Sequence, residues 1–217
     1  GITQMNNMNA KILAVKLIPT EVKLPGQSLN NDFDARLINT DKNFRMKLLK
    51  GALSALAGQQ MVMLEEIAAY VDGHGAEIAN GSFGTGYNQA KMITNTLIKV
   101  FFFRDPDAAE SDEVAKFFVN ELISQGSKMV DAAPNTLFVF AAGNDGVNND
   151  LFPTSPTNIQ ADNVISVAAT YEREFIAPFS NYGTKMVDVA APGMLIHSQI
   201  PGDEYLKVSG TSQAAPF

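Results

Sequence analysis

Cysteine is absent from the 217 residues, which excludes disulfides, thiol catalysis and thiolate metal sites. The absence leaves the compartment open, because many secreted enzymes also do without cysteine. Also missing is any run of lysine and arginine of the kind that tracks a phosphate backbone. With 16 basic against 23 acidic side chains the net charge is −7, and no nucleic-acid partner is expected. No apolar run reaches the roughly 18 residues of a membrane span, so no membrane partner is expected either. The N-terminus lacks the basic-then-apolar pattern of a signal peptide. Histidine is scarce, at two residues, His74 and His197. No internal repeat or low-complexity segment is present.

What is there is an ordinary globular balance, 46% hydrophobic and 18% charged, enough for one domain with a sizeable core. The segment "AKILAVKLI" (10–18) is a short Ile/Leu/Val-rich run, as expected of a buried parallel strand, and Pro19 ends it. Residues 19–42 turn polar, with Pro25-Gly26 and the cluster "NNDFD", and read as a long surface loop. Residues 43–72 read as helix, bent or interrupted near Gly58; Leu64, Ile67, Ala68 and Val71 share one face, and Gly73 or Gly75 supplies the stop. A strand is expected at 76–82, helices at 88–103 and 111–130, and strands at 137–142 and 164–169. In the second of those helices Val114, Phe117, Phe118 and Leu122 lie on one side. The alternation predicts an α/β fold with a mainly parallel sheet.

In such sheets ligands sit beyond the carboxyl ends of the strands. Two of these ends carry informative turns. After "LFVFAA" comes "GNDG" (143–146), glycines around an asparagine whose side-chain amide is a neutral donor. After "AEIA" comes "NGSFG" (80–84), small residues at an exposed turn. Taken singly, each also fits a plain strand-to-helix turn. A phosphate loop at "GSFGTG" lacks the lysine and spacing of a P-loop. A nucleophile elbow at "GTSQA" lacks the second glycine, since Ala214 stands there, and the acid and histidine downstream.

The ordered segments "NGSFG", "AAGNDG", "APFSNYG" (177–183), "VDVAAPG" (187–193) and "GTSQAAP" (210–216) together resemble the subtilisin-like serine peptidases. The resemblance covers nearly the whole chain, is strongest over 137–217, and implies a three-layer fold with helices flanking a mainly parallel sheet. It implies that Ser212 is the nucleophile, at a helix N-terminus where unpaired N–H groups favour developing negative charge. Asn144 then donates its amide to the oxyanion, beside the Ser212 N–H. Ser82, Phe83 and Gly84 lie along an extended substrate. Ala141, Ala142 and Gly143 line the pocket for the side chain before the cut bond, with Gly210 and Thr211 also binding substrate. Those small walls imply room for large apolar side chains. Phe152-Pro153 matches an aromatic–proline pair near this pocket and is a candidate cis peptide.

Two expected motifs are missing. The family carries an Asp-Ser/Thr-Gly motif and a His-Gly-Thr-His motif upstream of the serine, and neither occurs here. His74 precedes strand 76–82, about six residues at about 3.3 Å from the edge where Ser212 acts, roughly 20 Å away. His197 follows "APGMLI" in an outer hairpin and reads as a surface residue. The resemblance therefore implies an interior piece, 1–217, of a single catalytic domain, inactive by itself because base and orienting carboxylate lie outside it. The first strand of the family's sheet is then also lacking, and the resulting gap is expected to close by altered register, a homodimer, strand exchange or another chain. No cofactor is required; structural calcium has candidate oxygen ligands at "NDGVNND" (144–150) and "NNDFD" (30–34), which also fit solvated turns. The partner is a polypeptide substrate, and the location implied is secreted or cell-envelope. The alternative is a non-catalytic relative whose cleft binds peptides without cutting them.

Overall fold

Alternation along two apolar strands sets the layers of this fold. The structure, a computed structural model, describes residues 3, 9–15, 41–172, 174–200, 202 and 204–217. In β3 (Leu137–Ala141), Phe138 and Phe140 point into one core, while Val139 and Ala141 point into another. In β5 (Val164–Tyr171), Val164 joins the first core, and Ile165, Val167 and Ala169 join the second. A period of two thus buries both faces of the sheet.

The sheet runs β1 (Ile78–Gly81), β3, β5, β7 (Val189–Pro192), all parallel, with β6 (Phe175–Ile176) antiparallel to the end of β5. Two short pairs flank it. β2 (Thr85–Gly86) meets β4 (Thr154–Ser155), and β8 (Ile196–Ile200) forms a hairpin with β9 (Glu204–Val208).

One face carries α1 (Lys42–Gly73), α2 (Tyr87–Phe102) and α3 (Ala108–Asp131). Asp41 caps α1 by accepting from the Asn43 and Phe44 N–H groups, and Asp107 caps α3 by accepting from the Glu110 N–H. The buried stripe of α1 (Leu49, Leu53, Ala57, Met61, Leu64, Ala68, Val71) advances by three or four residues and faces α3. The helix runs through Gly58 without the expected interruption, and Gly75, at φ +72°, turns the chain after it. On the opposite face the single turn α4 (Thr211–Ala214) packs Ala214 and Ala215 against β5 and β7. These are the three layers expected. No described helix is long and apolar enough to cross a membrane.

The N-terminal strand is corrected. Residues 10–15 carry no strand, and Ile12 is 57% exposed; residues 16–18, and the expected loop as far as residue 40, lie outside the described residues. Among the described residues β1 pairs only with β3, and Ile78 on its free edge is 65% exposed. A parallel strand needs neighbours for its backbone groups, and an apolar run without one has no reason to stay extended. A second correction concerns the expected cis bond: the structure records it at Ser155–Pro156, not at Phe152–Pro153.

Helices α2 and α3 are clasped where the Tyr87 hydroxyl donates to the Asp112 carboxylate at 2.6 Å, with Lys91 on the same oxygen. Burial, then the hydrogen bond to Asp112 and its charge, pushes the Tyr87 phenol up from 10.0 to about 12. Its stabilising contribution is therefore complete below pH 10 and lost as pH rises through about 12. The phenolate absorbance that distinguishes wild type from Tyr87→Phe should appear near pH 12, not 10. By urea unfolding at neutral pH, Tyr87→Phe should cost about 1 kcal/mol.

Candidate active site

Parallel strands release their chains at a common edge, and here three loops meet there. β1 ends at Gly81 and delivers Ser82, Phe83 and Gly84; β3 ends at Ala141 and delivers Gly143, Asn144 and Asp145. β7 ends at Pro192, next to Gly193, whose carbonyl accepts from the Gly210 N–H at 2.8 Å. A Cβ on Gly193 would stand 2.5 Å from the Ala169 Cβ and 2.8 Å from the Gly210 carbonyl, so only glycine lets α4 start this close to the sheet.

Between these loops lies a cleft of about 320 Å³ whose wall includes Ser82, Phe83, Gly84, Asn144, Thr211 and Ser212. Ser212 and Ser82 are tied reciprocally. The Ser82 hydroxyl donates to the Ser212 carbonyl at 2.9 Å, and the Ser212 hydroxyl donates to the Ser82 carbonyl at 3.3 Å. The second contact is long, which leaves the Ser212 Oγ available at the cleft surface.

Asn144 is oriented by Thr211. Its Oδ1 accepts from the Thr211 N–H at 2.8 Å and the Thr211 hydroxyl at 3.0 Å. That hydroxyl in turn accepts from the Gly143 N–H at 3.2 Å. With Oδ1 held by two donors, the Nδ2 group of the exposed Asn144 faces outward, with no hydrogen bond to any described residue. The Ser212 N–H is likewise unpaired among the described residues, as the first turn of a helix leaves it.

The expected residues therefore converge with two exceptions. Ala141 and Gly143 do line the cleft, but Ala142 is fully buried, its N–H donating to Val167 and its carbonyl accepting from Asn149, and Gly210 is the buried N-cap of α4 and does not line it. Gly86, Gln89, Asp145 and Thr154 also line the cleft. Asp145 adjoins Asn144 in "GNDG" and was within reach of sequence reasoning. Thr154 was not, because the β2–β4 pairing brings it from about 70 residues away.

Neither histidine reaches Ser212. His74 ends α1 on the amino side of β1, its ring 4.1 Å from that of Tyr70 and its Nδ1 2.8 Å from the Tyr70 carbonyl. His197 is exposed in β8, paired with Lys207. Within 144–150, Asn148 accepts from the Asp150 N–H. Asp150 accepts from the Thr184 hydroxyl and from the N–H groups of Thr184, Lys185 and Met186. Burial pushes the Asp150 carboxyl up, but those donors outweigh it and hold the group below the usual aspartate value. Among the described residues no three His, Asp or Glu side chains are grouped to hold a metal ion.

The sequence matches the subtilase family over residues 8–217. It is 29% identical over 238 residues to the cell wall-associated protease of Bacillus subtilis (strain 168), spanning 97% of this chain and 25% of that protein. It is 35% identical over 166 residues to subtilisin-like protease 11 of Arthroderma benhamiae, spanning 66% of this chain and 40% of the relative. Among solved structures, the epidermin leader peptide processing serine protease of Staphylococcus aureus is similar with a TM-score of 0.50 at 19% identity. The similarity covers 72% of this chain and 41% of that one, a likeness of fold. The chain thus spans well under half the length of these relatives.

Gly143 holds φ +110°, and a Cβ there would lie 2.4 Å from the Asn181 amide nitrogen. Gly143→Ala should therefore lower stability by about 2–4 kcal/mol in chemical denaturation, from backbone strain plus overpacking.

Proposed function

The chain belongs to the subtilase family, and from that premise we propose that it supplies the nucleophile and the oxyanion hole of a serine endopeptidase. The observation that carries this reading is the orientation of Asn144: Thr211 takes both contacts on Oδ1 and leaves Nδ2 without a partner among the described residues, in the cleft that Ser212 also lines. Two unpaired donors in a cleft that also holds a serine hydroxyl are the kind of groups a tetrahedral oxyanion requires.

In this reading a polypeptide lies extended along residues 82–84, and Ser212 Oγ attacks the scissile carbonyl. The carbonyl π electrons move to oxygen, where Asn144 Nδ2 and the Ser212 N–H receive the charge. Collapse of the tetrahedral intermediate expels the amine and leaves an acyl-serine, which water then hydrolyses. The serine proton must pass to a base and then to the leaving amine. No described histidine faces Ser212, so we assign the base and its carboxylate to residues outside this sequence and propose that the 217-residue chain by itself does not turn over. A strand from elsewhere in the protein, or from a second copy, would complete the sheet at the edge of β1 that no described strand covers. The Bacillus relative is named for the cell wall, and we extend an extracellular or envelope location to this protein.

A fluorophosphonate probe tests the reading. The full-length protein should label at Ser212, Ser212→Ala should abolish labelling, and the isolated chain should not label. A folded full-length protein that takes up no probe and cleaves no peptide would instead support a cleft that binds peptides without cutting them. For Asn144→Ala the expected loss in kcat is about 100- to 1,000-fold, the magnitude measured for the oxyanion-hole asparagine of subtilisin and carried over to this chain.

A further inference from the structure

Thr211 fixes the side chain of Asn144 and takes the Gly143 N–H on its hydroxyl, and the segment 143–147 is exposed or half-buried with no regular structure of its own. Phe179 and Tyr182 hold its far end, by the Gly146 N–H donating to the Phe179 carbonyl and the Tyr182 N–H donating to the Val147 carbonyl. The two peptide groups that flank Asn144 are held by Asn181 of "FSNYG", which is fully buried. The Asn181 N–H donates to the Gly143 carbonyl at 2.9 Å, just before Asn144. Its Oδ1 accepts from the Asp145 N–H at 2.9 Å, just after Asn144, and from the Val147 N–H at 3.3 Å.

The other end of the amide is anchored as well. Asn181 Nδ2 donates to Asn149 Oδ1 at 3.0 Å and to the Thr154 hydroxyl at 3.4 Å, and Asn149 returns to the sheet by donating to the Ala142 carbonyl. The positive φ of Gly143 is what brings the loop within reach of this amide.

We propose that Asn181 is a positioning residue for Asn144, gripping the peptide groups on both sides of it so that its free amide is held at the oxyanion site. The inference rests on the serine peptidase reading. Asparagine is suited to the task because one planar group offers an acceptor to the loop and donors to the core. In a buried site each of those contacts is expensive to leave unmade. A residue that acts only through Asn144 has a kinetic signature that a general stabiliser lacks: its effect should vanish once Asn144 is gone.

The test is a double-mutant cycle in the full-length protein, with Asn181→Ala and Asn144→Ala, reading kcat and KM on a peptide substrate at a temperature where every variant is folded. Asn181→Ala should lower kcat about 10- to 100-fold with KM nearly unchanged. In the Asn144→Ala background the same change should cost less than about threefold. Asn181→Asp keeps an oxygen toward the Asp145 and Val147 amides and should retain more kcat than Asn181→Ala; it replaces the alanine variant in the cycle should that one not fold. Equal losses in both Asn144 backgrounds, or a rise in KM at constant kcat, would overturn the positioning role. An inactive wild type that no probe labels would overturn the peptidase reading, and this inference with it.

Discussion

The cleft depends on the shared direction of β1, β3 and β5. Because the strands are parallel and in register, with Ile78 beside Leu137 and Phe138 beside Val164, their chains leave the sheet at the same edge. Residues far apart in the chain are thereby delivered to one place. Antiparallel pairing would have sent the turns after β1 and β3 to opposite ends, and no local geometry could then have united Ser82, Asn144 and Ser212. The two cores hold this register in place, since a slip of one residue would swap Phe138 and Phe140 with Val139 and Ala141 between a helical layer built for large side chains and one built for small ones.

Above the sheet, a second level of order is polar and local. Asn144, Asn149 and Asn181 all lie outside the helices and strands, and each spends its amide on another residue's backbone or side chain. Loops of this kind have no ladder to satisfy their N–H and C=O groups, so buried amides perform that role. Under the proposed oxyanion role of Asn144 the consequence is preorganisation: the polar links from the core hold the donor before charge develops, so it need not be reoriented during reaction.

Much of this was legible in the sequence and some was not. Strands β1, β3 and β5 and the three long helices follow from periodicity and punctuation, whereas β6 and β7 do not; the turns with Ser82, Gly143 and Asn144 stand out by their positions after strands, and Ser212 only by its motif's resemblance to the family. The apolar run at 10–18 misled because composition can mark a segment as suited to burial without supplying a neighbouring strand; among the described residues, 10–15 are not in the sheet. Ala142 differs from its neighbours because it is enclosed on every side and hydrogen-bonded to Val167 and Asn149, whereas Ala141 and Gly143 reach the cleft wall. Asn181 carried no signal beyond membership of a motif. Its role comes from hydrogen bonds to Gly143, Asp145, Val147 and Asn149, all distant in the chain, which no local pattern encodes.

The central claim is that Asn144 Nδ2 and the Ser212 N–H form one oxyanion site. A crystal structure of the full-length protein with a peptidyl phosphonate bound to Ser212 tests it most directly. The account predicts the phosphonyl oxygen at about 2.7–3.1 Å from both donors, with Asn144 Oδ1 still on Thr211. A phosphonyl oxygen turned away from Asn144, or an Asn144 amide flipped so that Oδ1 faces the inhibitor, would contradict it.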